Sequence, residues 1–336
     1  MSKIGIIGAG SWGIALAVNL TRNGHEVTVW SIMEDEIRSL KEHREHKDKL
    51  PGVALAESMV FTTDMNQAIQ GMDMLVLAVP SIYTRSTAKM MAPYVVENQI
   101  IVCVAKGIES HTLMTIAQVV EEEIPKADVA VLSGPSHAEE VGIGLPTTLV
   151  AGAVTRETAQ KVQDTFMNET LRVYTSPDVQ GIELGGSLKN VIALAAGMGD
   201  GVGYGDNGKA ALITRGIAEI SRLAVAMGAK TETLYGLTGM GDLIVTCQSL
   251  HSRNRKAGML MGQGMTMEEA TAEVKMVVEG IYSAQAALAL GEKYGVDMPI
   301  IKAVNQVLFE GKQVKQAVTE LTLRDKTSEN KKTEWE

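Results

Sequence analysis

Lys3 to Gly8 (KIGIIG) is a short apolar run of the length a buried strand needs, and Ile14 to Leu20 (IALAVNL) then repeats its apolar positions at helical spacing. Gly24 ends that helix, and Glu26 to Trp30 (EVTVW) supplies a second strand. Further apolar runs predict strands at Met74–Val79, Ile100–Ala105, Val129–Leu132 and Thr148–Ala151, with helix-like segments between most of them. Strands alternating with helices predict a largely parallel sheet. From Gly185 the strand pattern stops, and helical periodicity with short Gly-containing breaks continues to about Arg324. The pattern predicts an α/β domain of Rossmann type over residues 1–184 and an all-α domain over 185–326. The polar stretch from Asp325 (DKTSENKKTEWE) is expected to fray, leaving 327–336 as a tail.

Gly8, Gly10 and Gly13 form G-A-G-S-W-G at the junction of the first strand and its helix. The spacing alone is a weak signal, but in this context each glycine has a mechanical task. Gly8 permits the tight turn, Gly10 lets the backbone approach a pyrophosphate, and Gly13 lets helix and strand pack closely. The helix N-terminus then offers free amides and a positive dipole to phosphates, so a dinucleotide is expected here. Val79-Pro80-Ser81 and Lys106-Gly107 close two later strands at the edge where an open parallel sheet faces its ligand. A lysine there is placed to meet a phosphate or a carbonyl, or it is ordinary surface charge. Gly203 to Lys209 (GYGDNGK) imitates a phosphate-binding P-loop, but Ala210 replaces the metal-binding hydroxyl and an Ala-rich helix precedes it.

The chain's best chemical clue is Lys189, the only charged residue in LGGSLKNVIALAAGMG (Leu184–Gly199). On a helix its face carries Gly185, Gly186, Ala193, Ala196 and Gly197, with Ile192 the one bulky exception. Side chains that small leave room for another molecule to lie against the lysine. A buried ammonium lowers its pKa, which makes a proton donor near neutral pH. The alternative is a lysine snorkelling to the surface from a core helix. Two later segments weigh on that choice. Thr238–Asp242 (TGMGD) is a Gly-rich turn ending in a carboxylate, and His251–Lys256 (HSRNRK) concentrates hydroxyl, guanidinium and amide donors suited to a phosphate, or it is an ordinary solvated basic turn.

Apolar residues make up 45% and charged residues 21%, an ordinary balance for a globular chain of 336 residues with room for two cores. The net charge of −9 argues against nucleic acid and anionic membranes as general partners. No apolar run is long enough to insert in a membrane, and the N-terminus enters a folded motif without a signal sequence, so a cytoplasmic protein is expected. Cys103 and Cys247 are too few for a disulfide framework and read as core thiols. His43 and His46 fall in a charged surface run and the other histidines are scattered, so no metal site is expected. Asn168-Glu169-Thr170 matches a glycosylation sequon, which carries no weight without secretion.

In order along nearly the whole chain, GAGSWG, VAKGIE, LSGPSHAEEV, GGSLKNVIALAAG, GLTGMGDLIVTC, SLHSRNR and VVEG resemble the bacterial-type NAD(P)-dependent glycerol-3-phosphate dehydrogenase family. The resemblance implies a Rossmann domain followed by a helical domain like that of 6-phosphogluconate dehydrogenase, with catalysis in the cleft between them. It implies NAD(P)H as cofactor and dihydroxyacetone phosphate, a small phosphate, as the substrate reduced to sn-glycerol 3-phosphate for phospholipid synthesis. By motif it places Gly8, Gly10, Ser11, Trp12, Gly13, Lys106, Ala138, Arg253, Val277 and Glu279 at the cofactor. It places Lys106, Gly134, Ser136, Lys189, Asn190, Asp242, Ser252, Arg253 and Asn254 at the substrate. Lys189 is then the proton donor and acceptor, with Lys106 and Asp242 beside it in catalysis. A homodimer is expected.

The chain departs from the family's habit in two places. Ile32 and Met33 stand where many relatives carry histidine or arginine after the second-strand tryptophan, and His137 stands where many carry Phe. An arginine at the first place would welcome the 2′-phosphate of NADP, and an acidic residue at the strand end would bind the ribose of NAD. Glu34 comes a few residues late; the local charge mildly disfavours NADPH and argues against a strong NADP preference, but the sequence does not fix the choice. A related reductase of a small carboxylate, of β-hydroxyacid or ketopantoate type, is the alternative enzyme, and a nicotinamide-sensing protein without turnover is the alternative of another class.

Overall fold

The computed structural model describes residues 1–329, so the last seven residues of the expected tail lie outside the described residues. The first half alternates strands and helices: β1 (Lys3–Ile7), α1 (Ser11–Arg22), β2 (Glu26–Trp30), α2 (Glu34–His43), β3 (Glu45–His46), β4 (Leu50–Ala54), β5 (Val60–Thr62), α3 (Met65–Ile69) and β6 (Met74–Leu77). It continues through α4 (Thr84–Met91), β7 (Ile100–Cys103), α5 (Ile116–Glu123), β8 (Asp128–Ser133), α6 (Ala138–Ile143), β9 (Thr147–Ala153), α7 (Arg156–Phe166) and β10 (Leu171–Ser176). The main sheet has the order β10-β9-β8-β7-β6-β1-β2-β5, and β3 and β4 form a separate hairpin. Every neighbour in the main sheet is parallel except β8 with β9. The order reverses between β1 and β6, and ligands of such sheets bind at the strand ends beside that reversal.

Both faces of this sheet are apolar, because helices cover both, and the strands read as continuous hydrophobic runs. Ile4, Ile6, Leu75 and Val76 have no exposed surface. β5 and β10 were not anticipated. Both lie at the sheet's edges, and β10 alternates buried and exposed positions, so neither presents an unbroken apolar run.

The second half is helical: α8 (Val179–Val202), α9 (Asp206–Ala226), α10 (Thr231–Leu234), a π turn at Leu237–Gly241, α11 (Asp242–Gln248), α12 (Arg253–Gly262), α13 (Met267–Val274), α14 (Glu279–Lys293), α15 (Pro299–Phe309) and α16 (Val314–Thr322). α8 is the spine. Seventeen of its 24 residues are buried, so it is enclosed on all sides rather than along one stripe. It begins where the Asp178 carboxylate caps it by accepting from Gly181 N at 3.0 Å. The junction expected at residues 184–185 therefore falls inside a continuous helix. Glu183 of α8 accepts from Ala117 N at the start of α5, tying the spine to the sheet layer.

α8 and α12 touch backbone to backbone through glycines four residues apart on each. A methyl at Gly197 would lie 2.0 Å from the Arg255 carbonyl oxygen, and one at Gly201 2.2 Å from that of Met259. Reciprocally, a methyl at Gly258 would meet the Leu194 oxygen at 2.0 Å, and one at Gly262 the Met198 oxygen at 2.3 Å. Gly203 to Lys209, the P-loop imitation, is the left-handed cap of α8 and the start of α9.

In an open helix Gly258→Ala would stabilise by removing backbone entropy. Here the helices must separate, so unfolding should become easier by ~1–3 kcal/mol. A chemical or thermal unfolding midpoint equal to or above that of the parent chain would refute the contact.

Candidate active site

The glycine turn fits a dinucleotide. Gly8 has φ +120°, and a methyl there would press on the backbone of Ala78 and Val79 at 2.8–2.9 Å. A methyl on Gly13 would lie 2.2 Å from the Gly8 oxygen, so helix α1 sits directly on the turn. Above Gly10 nothing approaches within 4 Å, leaving open space for close approach of a phosphate. Ser11 and Trp12 open α1 beside it, both half-buried.

Farther along the edge, the structure brings Lys106, Lys189 and Asp242 together from three elements. Lys106 follows β7, Lys189 lies midway along α8, and Asp242 begins α11. Asp242 is 1% exposed, and each of its oxygens takes one ammonium: Lys189 Nζ donates to Oδ1 at 2.6 Å and Lys106 Nζ to Oδ2 at 2.7 Å. Burial alone would raise the Asp242 carboxyl, but the two lysines outweigh it and hold it below its usual range. Burial also pulls Lys189 down to about 8, against the attraction of Asp242 and with repulsion from Lys106. Lys189 further donates to Thr246 Oγ1 at 2.5 Å, and that hydroxyl donates to the Asp242 main-chain oxygen at 2.6 Å. Thr246 lies one helical turn beyond Asp242 and was missed in the sequence, although an i, i+4 hydroxyl on that helix was there to be read.

The small residues around Lys189 do not serve as expected. Gly185 receives the backbone of Thr238 and Gly239, Gly186 receives Ser133 and the Lys106 stem, and Gly197 receives α12. Ala193 and Ala196 are buried in the helical core. The space they leave is filled by neighbouring protein, because only small side chains let these four segments converge on one helix. Gly186 in particular admits the stem that carries Lys106 to Asp242.

Around this bridge stand the other expected residues. Gly134, at φ +142°, turns its carbonyl to accept from both Lys106 Nζ and Ser136 Oγ at 3.0 Å. Ala138 opens α6, and the His137 ring before it packs on His251, centroids 5.7 Å apart. Ser252 caps α12 by accepting from Arg255 N, which leaves the N–H groups of Arg253 and Asn254 at the first two helical positions, beyond any intrahelical carbonyl. Asn190 donates one N–H to the Lys106 oxygen and accepts from Asn254, whose own oxygen accepts from Gly280 N. Each of these amides keeps one N–H, so most of their bonding goes into the protein.

Arg253 donates to the Val277 carbonyl at 3.2 Å. Glu279, at the start of α14, accepts from the Ser81 N–H at 3.0 Å and from its hydroxyl, so the loop after β6 meets the helical layer here. Burial raises its carboxyl, opposed by those bonds and by Arg253. A contact between positions 198 apart has no local signal in the sequence.

Two other expectations change. His46 is buried, 7% exposed, and bonded to Glu36 at 3.0 Å, where a surface position was expected. Asn168 is a structural residue: its amide donates to Asn19 and Asn23 and its oxygen accepts from Thr170 and Leu171. Cys247 lies near Lys189, but burial pushes its thiol up to about 12, so it is inert.

Comparison with known proteins agrees over the full length. The family model described as NAD-dependent glycerol-3-phosphate dehydrogenase N-terminus matches residues 3–159, and its C-terminal counterpart matches 178–319. The chain is 72% identical over 335 residues to a glycerol-3-phosphate dehydrogenase (NAD(P)+) of Agathobacter rectalis, covering 100% of both. It is 51% identical to the one of Bacillus subtilis, covering 98% of this chain and 96% of that one. The crystal structure of glycerol-3-phosphate dehydrogenase from Coxiella burnetii superposes with a TM-score of 0.93 at 35% identity, covering 96% of this chain and 99% of that one. The chain belongs to the NAD-dependent glycerol-3-phosphate dehydrogenase family.

Proposed function

We propose that this cleft carries out the reaction of its family, the reversible NAD(P)H-dependent interconversion of dihydroxyacetone phosphate and sn-glycerol 3-phosphate, with Lys189 exchanging the proton. The observation that carries the assignment is the buried bridge Lys189–Asp242–Lys106. It holds two ammonium groups against one carboxylate, a net positive site suited to an oxygen that gains negative charge. The glycine turn would hold the pyrophosphate of NAD(P)H, and the bound cofactor would supply the hydride chemistry. Everything else falls to the chain's own side chains.

Lys189 donates its proton to the substrate oxygen in reduction and takes it back in oxidation. Lys106 adds positive charge beside that oxygen. Asp242 orients both lysines, and Thr246 takes a second N–H of Lys189, which leaves its third for the substrate oxygen. The phosphate lies at the first turn of α12, where the free N–H groups of Arg253 and Asn254, the helix dipole and the Arg253 guanidinium converge. Ser136 and Gly134 shape the opposite wall, and Asn190 and Asn254 hold the walls in register. Ser11, Trp12, Ala138, Val277 and Glu279 serve the cofactor. Binding energy from the phosphate then positions the carbonyl, which is remote from it.

A cytoplasmic location fits two buried, unpaired cysteines. Pairing of two copies through the helical domain fits a groove of about 2190 Å3 along α9, where Tyr204, Val225 and Tyr235 remain exposed. A dimer mass by light scattering is the expected result, and a monomer at micromolar concentration refutes it.

Lys189→Met should lower kcat for dihydroxyacetone phosphate reduction by ~10²–10⁴-fold. Arg253→Met should raise KM with a smaller change in kcat. Equal losses in both parameters for both variants would sink this division of roles.

The pH dependence follows from the Lys189 value of about 8. Reduction needs the ammonium, so its kcat/KM should fall as pH rises through about 8, while oxidation needs the free amine and should rise through the same range. Steady-state profiles in both directions check this, and parallel profiles would exclude Lys189 as the proton carrier.

A further inference from the structure

The corner where β2 ends lies directly beside the glycine turn: the Gly8 N–H donates to the Trp30 carbonyl at 2.9 Å. In a sheet of this order the residues after that strand face the adenosine ribose, and they distinguish a 2′-hydroxyl from a 2′-phosphate. Trp30 itself is locked, its indole N–H donating to the Thr63 oxygen at 2.9 Å. Ser31 follows at 5% exposure, and its hydroxyl is already spent: it donates to Glu36 Oε2 at 2.5 Å and accepts from Met33 N at 3.2 Å.

Glu36 is the hub of this corner. Besides Ser31 it accepts from His46 Nε2 at 3.0 Å and from Lys49 Nζ. Burial alone would raise its carboxyl, but the bonds from His46, Lys49 and Ser31 bring it down to about 2, so it is ionised at any working pH. Glu34 and Asp35 precede it, which puts three carboxylates in the first turn of α2. They occupy the positive end of that helix, the place an added phosphate would otherwise use. Arg38 is tied to Asp35. Besides Glu34, the side chains that stand free are Ile32 and Met33, 64% and 59% exposed, apolar surfaces suited to a purine face and without a donor for a phosphate.

We propose that this corner makes the chain selective for NADH over NADPH: Glu36 turns the Ser31 hydroxyl away and occupies the Lys49 ammonium, so that neither is offered to a 2′-phosphate, while the exposed Glu34 places a carboxylate at the start of α2. The inference rests on the dinucleotide role of the glycine turn and deepens it. Discrimination comes from repulsion of the 2′-phosphate as much as from attraction of the hydroxyl.

The test is binding and turnover with both cofactors. Kd values for NADH and NADPH come from quenching of tryptophan fluorescence, and kcat/KM values from dihydroxyacetone phosphate reduction. The parent chain should favour NADH by at least about tenfold in both, the scale of one like charge near a protein surface, here the exposed Glu34. Glu36→Gln removes the charge and loosens Ser31, and should shift the Kd ratio toward NADPH by about tenfold. Met33→Arg adds a cation at an exposed position that no other contact depends on, and should shift it in the same direction even where Glu36→Gln disturbs the corner. Equal or tighter NADPH binding by the parent chain overturns the proposal, as does an unchanged ratio in Met33→Arg. Tenfold preference in Kd without any reduction of dihydroxyacetone phosphate would leave the selectivity standing and remove the assigned reaction instead.

Discussion

One buried carboxylate sets the terms for the cleft. Asp242 sits between two ammonium groups that reach it from opposite layers, Lys106 from the loop after β7 and Lys189 from α8. Without it, two like charges would face each other in a dry site, and both would shed protons or move apart. With it, the sheet layer and the helical layer are joined through one buried carboxylate. The arrangement is also unbalanced by one positive charge. A site built that way gains most when an oxygen acquires negative charge inside it, which is the condition for stabilising a transition state above a ground state.

The position of Asp242 depends in turn on how closely helices approach α8. The glycine pairs at 197/201 and 258/262 let the backbones of α8 and α12 touch, and this fixes the first turn of α12 relative to Lys189. Gly185 does the same for the turn at Thr238–Gly239 that leads into Asp242. The separation between Lys189 and the first turn of α12 is thus set by main-chain contact. Backbone contact is stiffer than side-chain packing, because no rotamer change can relax it. Positioning catalysis requires that stiffness, since small displacements of the reacting groups are costly.

What could be read in the sequence was local. Gly8, Gly10 and Gly13 announced their turn because each answers a constraint within one strand–turn–helix unit. Lys189 stood out because a charge in an apolar helix needs a reason, and its buried partner supplied one. The reason given for its small neighbours was wrong, because periodicity shows that a face is small without showing whether protein or ligand fills it. His46 read as a surface residue because its charged neighbours are exposed, yet Glu36 ten positions away draws it inward. Ser81 with Glu279, and Asn190 with Asn254, are pairings across 198 and 64 positions, visible only once the chain has folded. The start of α8 lay earlier than the end of the strand pattern suggested, because β10 is an edge strand with polar residues on one side.

The asparagines show how the remaining polar groups were allocated. Lys106 O, Asn190, Asn254 and Gly280 N form a chain of hydrogen bonds that crosses from the sheet layer through α8 and α12 to α14. A methyl at Gly280 would strike the Asn190 carbonyl at 2.5 Å, so α14 is seated on that chain directly. Glu279 is the next residue, and it reaches back to Ser81 in the sheet layer. The network therefore closes on itself around the cleft, with Lys106 in it at one side and the first turn of α12 at the other. That turn cannot shift without moving the frame that carries Lys106. In the function proposed, a phosphate held there would pass its binding energy to the carbonyl through fixed amides, with no reorganisation left to be done when the proton moves.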